Sequence, residues 1–400
     1  MGITSWPDRH GSTLALLYCH DTFGLGHLRR TLSLVEGLHD RRPDVSQLVA
    51  TGSPLAHAFR LPERVDYLKL PSIAKVGADY TARSLSVSLE EVTALRSDIL
   101  AAAAKWLRPQ LVVVDNVPTG LRGELLPALR ELRRSGATRL VLGLRDIVDE
   151  PERVRRAWTR DGSYELLDEA YDRILVYGHL HVFDAAAEYG FSAAARAKTR
   201  YVGYVGRREP AVRRRTDRAL VLVTAGGGAD GFPLLRTALE SRARASLSDA
   251  RWVVVTGPFL PPHQHDELAG LAGLLPDTDL IEFAPDLPAL IASADVVVSM
   301  GGYNSVCEIL AARRPAVIVP RVEPRLEQLL RARALERRGL VRVVHPENLT
   351  VTELALKVDE LLANGAAGGE DVDLSGLERA AAELDSLLAG VERVAAGGAR

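Results

Sequence analysis

Cysteine is scarce in this chain: Cys19 and Cys307 are the two among 400 residues, and they lie far apart. Such a pair builds neither a disulfide framework nor a zinc site, and it fits a reducing compartment. No apolar run approaches the roughly 18 residues that a membrane-spanning helix needs. The early run 14–18 is too short for a signal core and is followed by Cys19-His20-Asp21, with no small-residue cleavage site. It reads as a first strand, and the expected location is the cytoplasm. A surplus of one charge is also missing, with 50 Lys plus Arg against 52 Asp plus Glu. No global basic field therefore calls for nucleic acid as a partner.

What is present is an ordinary globular composition, 47% hydrophobic and 26% charged, over a length that suits two domains. Strands are expected at 13–19, 46–50, 111–115, 139–144 and 173–176, with helices at 28–39, 88–105 and 121–134 between them. Continuous apolar strands separated by helices predict a parallel sheet covered on both faces, an α/β domain. The segment 206–215 is polar, basic and proline-bearing, and no aromatic residue interleaves its arginines, so it reads as a solvated interdomain linker. The α/β rhythm then restarts. Strands are expected at 219–224, 252–256, 280–283, 296–299, 316–319 and 341–344, and helices at 233–243, 287–292, 305–312, 323–338 and 352–362. The predicted division is 1–205, a linker over 206–218, a second domain over 219–375, and a terminal helix and tail over 376–400 that suits either domain. The carboxyl ends of the two sheets should converge on one cleft.

Three glycine turns follow predicted strands and open helices. Gly24-Leu25-Gly26-His27 comes after the first strand. It lacks the third glycine of a dinucleotide fingerprint, and no acidic residue ends the next strand, so a nicotinamide site is not expected. His27, at the start of the helix, is a candidate catalytic base, because an imidazole titrating near neutral pH suits deprotonation of a hydroxyl. Gly226-Gly227-Gly228 lies in the second turn, and no Gly-Lys-Ser/Thr makes it a P-loop. The third turn, Gly301-Gly302-Tyr303-Asn304-Ser305, would aim free backbone N–H groups at an anion. Glu308 lies one turn further along that helix, and Glu327-Gln328 opens a helix after the following strand.

The glycine loop, Glu282-Phe283-Ala284-Pro285-Asp286-Leu287 before Ala294-Asp295-Val296-Val297-Val298, Gly301-Gly302 followed by Glu308, and Glu327-Gln328 come in a recognisable order. It resembles that of the MurG-like glycosyltransferases, most closely over 224–339, and Gly24–His27 is similar at the N-terminal end. The resemblance implies the GT-B fold, two Rossmann-like domains facing a central cleft, and a UDP-sugar as co-substrate without a cofactor. It implies that Phe283 and Ala284 meet the uracil, and that Gly228 and Gly302 to Ser305 face the diphosphate. Glu308 would bind the ribose, and Glu327 with Gln328 would read the donor sugar. Two departures stand out: Gly228 replaces a small hydroxyl residue, and Met300 stands where a basic residue is common.

On the acceptor side, Asp115-Asn116, Arg145-Asp146 and His179-Leu180-His181 each follow an apolar strand and should line the cleft. Asp115 or Asp146 would orient His27 by fixing its tautomer. The segment 72–88, with Lys75, Tyr80 and Arg83, is expected to be a long loop in contact with the acceptor. Metal ligation is the lesser reading of Asp277-Thr278-Asp279, which precedes a strand instead of ending one, and of the pairs His179/His181 and His263/His265. The expected activity is inverting, metal-independent transfer of a sugar from a nucleotide-diphosphate sugar to a hydroxyl. A lipid-linked acceptor, and with it peripheral membrane contact, belongs to the same resemblance. Non-hydrolysing UDP-sugar 2-epimerisation on the same fold and sugar-nucleotide binding without catalysis are the alternatives.

Overall fold

A computed structural model describes residues 13–20, 26–76, 79–206, 218–244, 249–365 and 372–397. The N-terminal part runs β1 (Leu14–Tyr18), α1 (Gly26–Arg41), β2 (Ser46–Thr51), β3 (Val65–Lys69), β4 (Ile73–Val76), β5 (Asp79–Ala82), α2 (Leu89–Leu107), β6 (Leu111–Asp115), α3 (Leu126–Ser135), β7 (Arg139–Arg145), α4 (Pro151–Arg160), α5 (Ser163–Glu169), β8 (Arg173–Tyr177), α6 (Ala185–Glu188), α7 (Ala193–Lys198) and β9 (Thr199–Tyr201). The C-terminal part continues with β10 (Leu220–Thr224), α8 (Phe232–Arg242), β11 (Arg251–Val255), α9 (Pro262–Gly273), β12 (Thr278–Ile281), α10 (Leu287–Ser293), β13 (Val296–Ser299), α11 (Tyr303–Ala311), β14 (Ala316–Ile318), α12 (Glu327–Glu336), β15 (Arg342–Val343), α13 (Val351–Asn364) and α14 (Gly376–Gly397).

Each part is built on one parallel sheet, ordered β3-β2-β1-β6-β7-β8-β9 and β12-β11-β10-β13-β14-β15. The central strands are buried along almost their whole length because helices cover both faces; all five residues of β6 and of β10 are buried. In each sheet the chain first winds one way and then the other. The reversal leaves a crevice between the carboxyl ends of β1 and β6 in one domain and of β10 and β13 in the other. Such crevices are where ligands bind in open α/β sheets.

Four features differ from the sequence expectation or settle it. β3 and β9 are edge strands; β3 is only half-buried, so it carries no continuous apolar run to mark it. The segment expected as a loop at 72–88 contains an antiparallel hairpin, β4–β5, with Ile73 opposite Ala82. α12 starts at Glu327 instead of 323. Helix α14 packs on the N-terminal domain: Leu377, Ala380, Leu384 and Leu388 are buried in a core shared with α1. The salt bridges Arg42–Glu392 (2.7 Å) and Arg173–Glu383 (3.4 Å) fasten it there. The linker expectation falls mostly outside the described residues.

The two domains meet across buried charge. Asp146, just past β7, takes both Nε (2.9 Å) and Nη2 (2.9 Å) of Arg331 on α12. Arg145 donates to Glu327 at 3.2 Å, and Glu327 also accepts from Arg331 at 2.8 Å. The side chains of Arg331 and Asp146 are 0% and 1% exposed, so neither charge is relieved by water. Arg331→Met should therefore destabilise the protein by about 3–5 kcal/mol in chemical denaturation, because it strands the Asp146 carboxylate. Adding Asp146→Leu should recover most of that loss; a double variant no more stable than the single one would rule the explanation out.

Candidate functional site

The two crevices open onto one cavity of about 480 Å³ between the domains. Its C-terminal wall is made of the two glycine turns. At the first, Gly228 has φ +90°, and a Cβ there would lie 2.3 Å from the carbonyl oxygen of Thr256, so the turn closes only around glycine. At the second, Gly301 has φ +71°, and a Cβ would lie 2.5 Å from Cγ2 of Ile318. That tight pass delivers the chain to Gly302, the N-cap of α11. The first intrahelical bond there is Val306 N–H to Gly302 O, so the N–H groups of Tyr303, Asn304 and Ser305 have no partner within the helix. All three residues line the cavity.

The side chains of Tyr303 and Asn304 are used elsewhere. The Tyr303 hydroxyl donates to Tyr177 O at 2.9 Å and accepts from Val205 N–H at 3.0 Å, and Asn304 Nδ2 donates to Gly26 O at 3.1 Å. These bonds hold the amino end of α11 against the N-terminal domain. Phe283, half exposed, and Ala284, buried, line the cavity beyond the end of β12. Gln328 lines it too, with its Oε1 accepting from Arg321 N–H at 2.9 Å.

The opposite wall carries His27, in the first turn of α1. Its Nδ1 lies 2.5 Å from Oδ2 of Asp115, at the carboxyl end of β6. The ionised carboxylate only accepts, so we assign the proton to Nδ1, and Nε2 keeps its lone pair. Arg30, one turn along α1, holds the other oxygen of Asp115 through Nη2 (2.5 Å) and Nε (3.1 Å). Burial alone would raise the Asp115 carboxyl, but Arg30 and His27 outweigh it and hold it well below the usual carboxylate range. Burial is also the largest influence on His27; with the Arg30 and Arg145 cations it outweighs Asp115 and pushes the imidazole down to about 4. His20, 4% exposed and edge-on to His27 at 5.5 Å between ring centroids, is pushed down by burial and by His27.

Of the two carboxylates expected to orient His27, the one in contact is thus Asp115. Asp146 is committed to Arg331, because β7 ends one strand further from β1 and faces α12. Arg145 lines the cavity, but its ion pair is to Glu327 on the opposite wall, not on the acceptor side. His179 does not line it; its Nε2 is 2.8 Å from Asp373 O, under the chain that leads into α14. Glu308 is half-buried, i+3 from Ser305 on the same helix, and does not line the cavity either. Glu327, 3% exposed, is held by Arg145 and Arg331; against the upward push of burial they bring its carboxyl down to about 2. Tyr80 of the hairpin and Gly26 line the cavity, and Gly24 lies outside the described residues. The metal-like Asp277 and Asp279 are paired with Arg218 (2.5 Å) and Arg251 (2.7 Å).

Sequence reasoning missed His20, Arg30, Arg321 and Arg325, all lining the cavity. For Arg30 a signal existed, since i+3 on a helix shares a face with His27. Met300 lines the cavity, and Arg321, just past the neighbouring strand β14, brings a guanidinium into the same space, bonded to Asp230 at 3.2 Å.

Residues 220–381 match the glycosyltransferase family 28 C-terminal domain. Among curated proteins, the UDP-N-acetylglucosamine–N-acetylmuramyl-(pentapeptide) pyrophosphoryl-undecaprenol N-acetylglucosamine transferase of Geobacillus thermodenitrificans is 32% identical over 112 residues, 28% of this chain and 31% of its own. The enzyme of the same description from Shouchella clausii is 38% identical over 78 residues, 19% and 22% of the two chains. The aligned part thus spans less than a third of those relatives' length. Solved structures are similar over nearly the whole chain. They include MurG of Acinetobacter baumannii (TM-score 0.61, 13% identity, 96% of this chain and 99% of that one) and the glycotransferase of kitacinnamycin (0.63, 20%, 96% and 98%). A putative UDP-N-acetylglucosamine 2-epimerase of Listeria monocytogenes is similar to the same degree (0.64, 12%, 94% and 96%). The fold is GT-B, and the family 28 match falls within its C-terminal half.

The pKa of His27 has a measurable consequence for stability. The unfolded imidazole takes up a proton as pH falls through about 6.5, whereas the folded one resists until about 4. The unfolded state therefore binds more protons between those values, and stability should fall as pH drops from about 6.5 to about 4. His20 shifts in the same direction. Urea denaturation of His27→Ala at a series of pH values should show this slope reduced but not abolished; an unchanged slope would assign it elsewhere.

Proposed function

We propose that the protein is an inverting, metal-independent glycosyltransferase that moves a sugar from a UDP-sugar to a hydroxyl acceptor. The observation that carries this reading is His27, paired at 2.5 Å with Asp115, facing two glycine turns across one cleft. On this reading the donor lies along the family 28 domain. The uracil sits by Phe283 and Ala284, and the diphosphate lies between Gly226–Gly228 and the N–H groups of Tyr303, Asn304 and Ser305. Glu327 and Gln328 meet the sugar. For the ribose this proposal keeps Glu308, one turn beyond Ser305, whose side chain would have to turn into the cavity to reach it.

The acceptor hydroxyl enters on the side of Tyr80 and loses its proton to Nε2 of His27. Its oxygen bonds to the anomeric carbon from the face opposite the leaving group, and the bond to the diphosphate breaks, so UDP departs with the electron pair. Backbone N–H groups and the Arg321 guanidinium stabilise the charge on the departing diphosphate, the task that a metal performs in other transferases. Asp115 keeps the proton of His27 on Nδ1 and balances the imidazolium as it forms. A donor diphosphate adds negative charge to the cleft, offsetting part of the cationic repulsion that depresses His27 and strengthening the base when it is needed.

The same electrostatics weigh against epimerisation, which needs carboxylates free to exchange protons. Asp115 is held by Arg30 and Glu327 by Arg145 and Arg331, and both stay ionised. No helix among the described residues is long and apolar enough to cross a membrane. A cytoplasmic enzyme acting on a lipid-linked acceptor at the membrane surface remains part of the proposal.

A panel of nucleotides and UDP-sugars in thermal-shift assays should single out UDP and one of its sugars, since a ligand of the native state raises the melting temperature. His27→Ala should lower transfer by about 100- to 10,000-fold while leaving UDP affinity intact. Because kcat/KM reports the free enzyme, its acid limb should lie nearer pH 4 than pH 6.5. Full transfer by His27→Ala would sink the mechanism. NMR of the UDP-sugar incubated without acceptor should show no epimerised sugar.

A further inference from the structure

The segment that opens α12 is fastened to the other domain at four successive points. Arg153 Nη1 donates to Pro324 O at 2.6 Å, and Leu326 N–H donates to Oδ1 of Asp149 at 2.9 Å. Glu327 accepts from Arg145, and Arg331 binds Asp146. The last two pairs have opposite polarity. Successive residues of the N-terminal domain, a cation and then an anion, face an anion and a cation spaced i, i+4 on one face of α12. That pattern matches in one relative placement of the domains, and a slip would set like charges together in a buried place.

Within this pattern Glu327 and Gln328 differ. Gln328 is oriented by its own domain, through the Arg321 backbone N–H. Glu327 receives Arg331 of its own helix on Oε2 and Arg145 of the N-terminal domain on Oε1. Each carboxylate oxygen has two acceptor sites, so this pairing leaves room for sugar hydroxyls while the two guanidiniums fix the plane of the group. Arg145 also lines the cavity beside it.

We infer that Arg145 is a positioning residue through which the N-terminal domain aims Glu327, so that reading of the donor sugar depends on domain closure whereas nucleotide binding does not. The inference rests on the glycosyltransferase reading above. It moves Arg145 from the acceptor side of the cleft to the donor side.

Calorimetric titration of wild type, Arg145→Ala and Arg145→Lys with UDP, UDP-glucose, UDP-galactose and UDP-N-acetylglucosamine tests it. In Arg145→Ala, Glu327 keeps Arg331, so the buried carboxylate is not stranded. The affinity of this variant for UDP should stay within about twofold of wild type. The additional affinity that the preferred sugar confers should fall by about tenfold, the size of one charge-assisted hydrogen bond. Arg145→Lys should restore part of it, having the charge without the fork. Equal weakening of UDP and UDP-sugar, or no change in either, would overturn the inference, since a structural or phosphate-binding role moves both together. Wild type that binds UDP with no gain from any of these sugars would also overturn it. Wild type that binds no UDP at all would instead remove the glycosyltransferase reading, and this inference with it.

Discussion

Four charged side chains, Arg145 and Asp146 against Glu327 and Arg331, are taken out of water where the domains meet. Removing such groups from solvent costs several kcal/mol each unless the geometry returns it, so they tolerate little displacement. The cleft inherits that constraint. Its two walls belong to different sheets, and the distance between them is set where β7 meets α12. The bonds of Tyr303 and Asn304 to the N-terminal domain pin the second glycine turn in the same frame. A cavity with a base on one wall and an anion cradle on the other exists because this junction fixes both.

The cleft's own burial and cations act against its base. Burial lowers His27 most, Arg30 and Arg145 add to it, and Asp115 opposes the three without prevailing. The imidazole is therefore neutral and available at physiological pH, but intrinsically weak. An anionic donor reverses part of that balance. Charge on the ligand becomes a component of the base, which ties proton abstraction to the presence of the molecule that needs it.

Much of the C-terminal half was legible because its signals are local. A strand, a turn that only glycine can make and a helix opening on small polar residues all lie within about fifteen residues, as in 294–308. Phe283-Ala284 and Glu327-Gln328 follow strands in the same way, and the cavity includes all four. His27 stood out at the start of α1, and Arg30 was within reach of the same reasoning by helical spacing. The edge strands β3 and β9 left little mark, because a half-exposed strand needs no continuous apolar run.

The partners of the charges were not legible. His27 and Asp115 are 88 positions apart, and Asp146 and Arg331 are 185 apart. A strand-end Asp looks the same in sequence whether it orients a histidine or locks a domain junction. The order of strands in the sheet decides between them, since β6 lies beside β1 and β7 one place further out. The same holds for α14, whose apolar stripe fits either domain until the core around Gly37 receives Leu377. Periodicity, turn chemistry and the anion-binding turns are properties of neighbouring residues, and the sequence by itself determined them. Which carboxylate serves the base, which arginine aims the donor-reading glutamate and how the two walls face each other are properties of distance in space, and only the tertiary structure decided them.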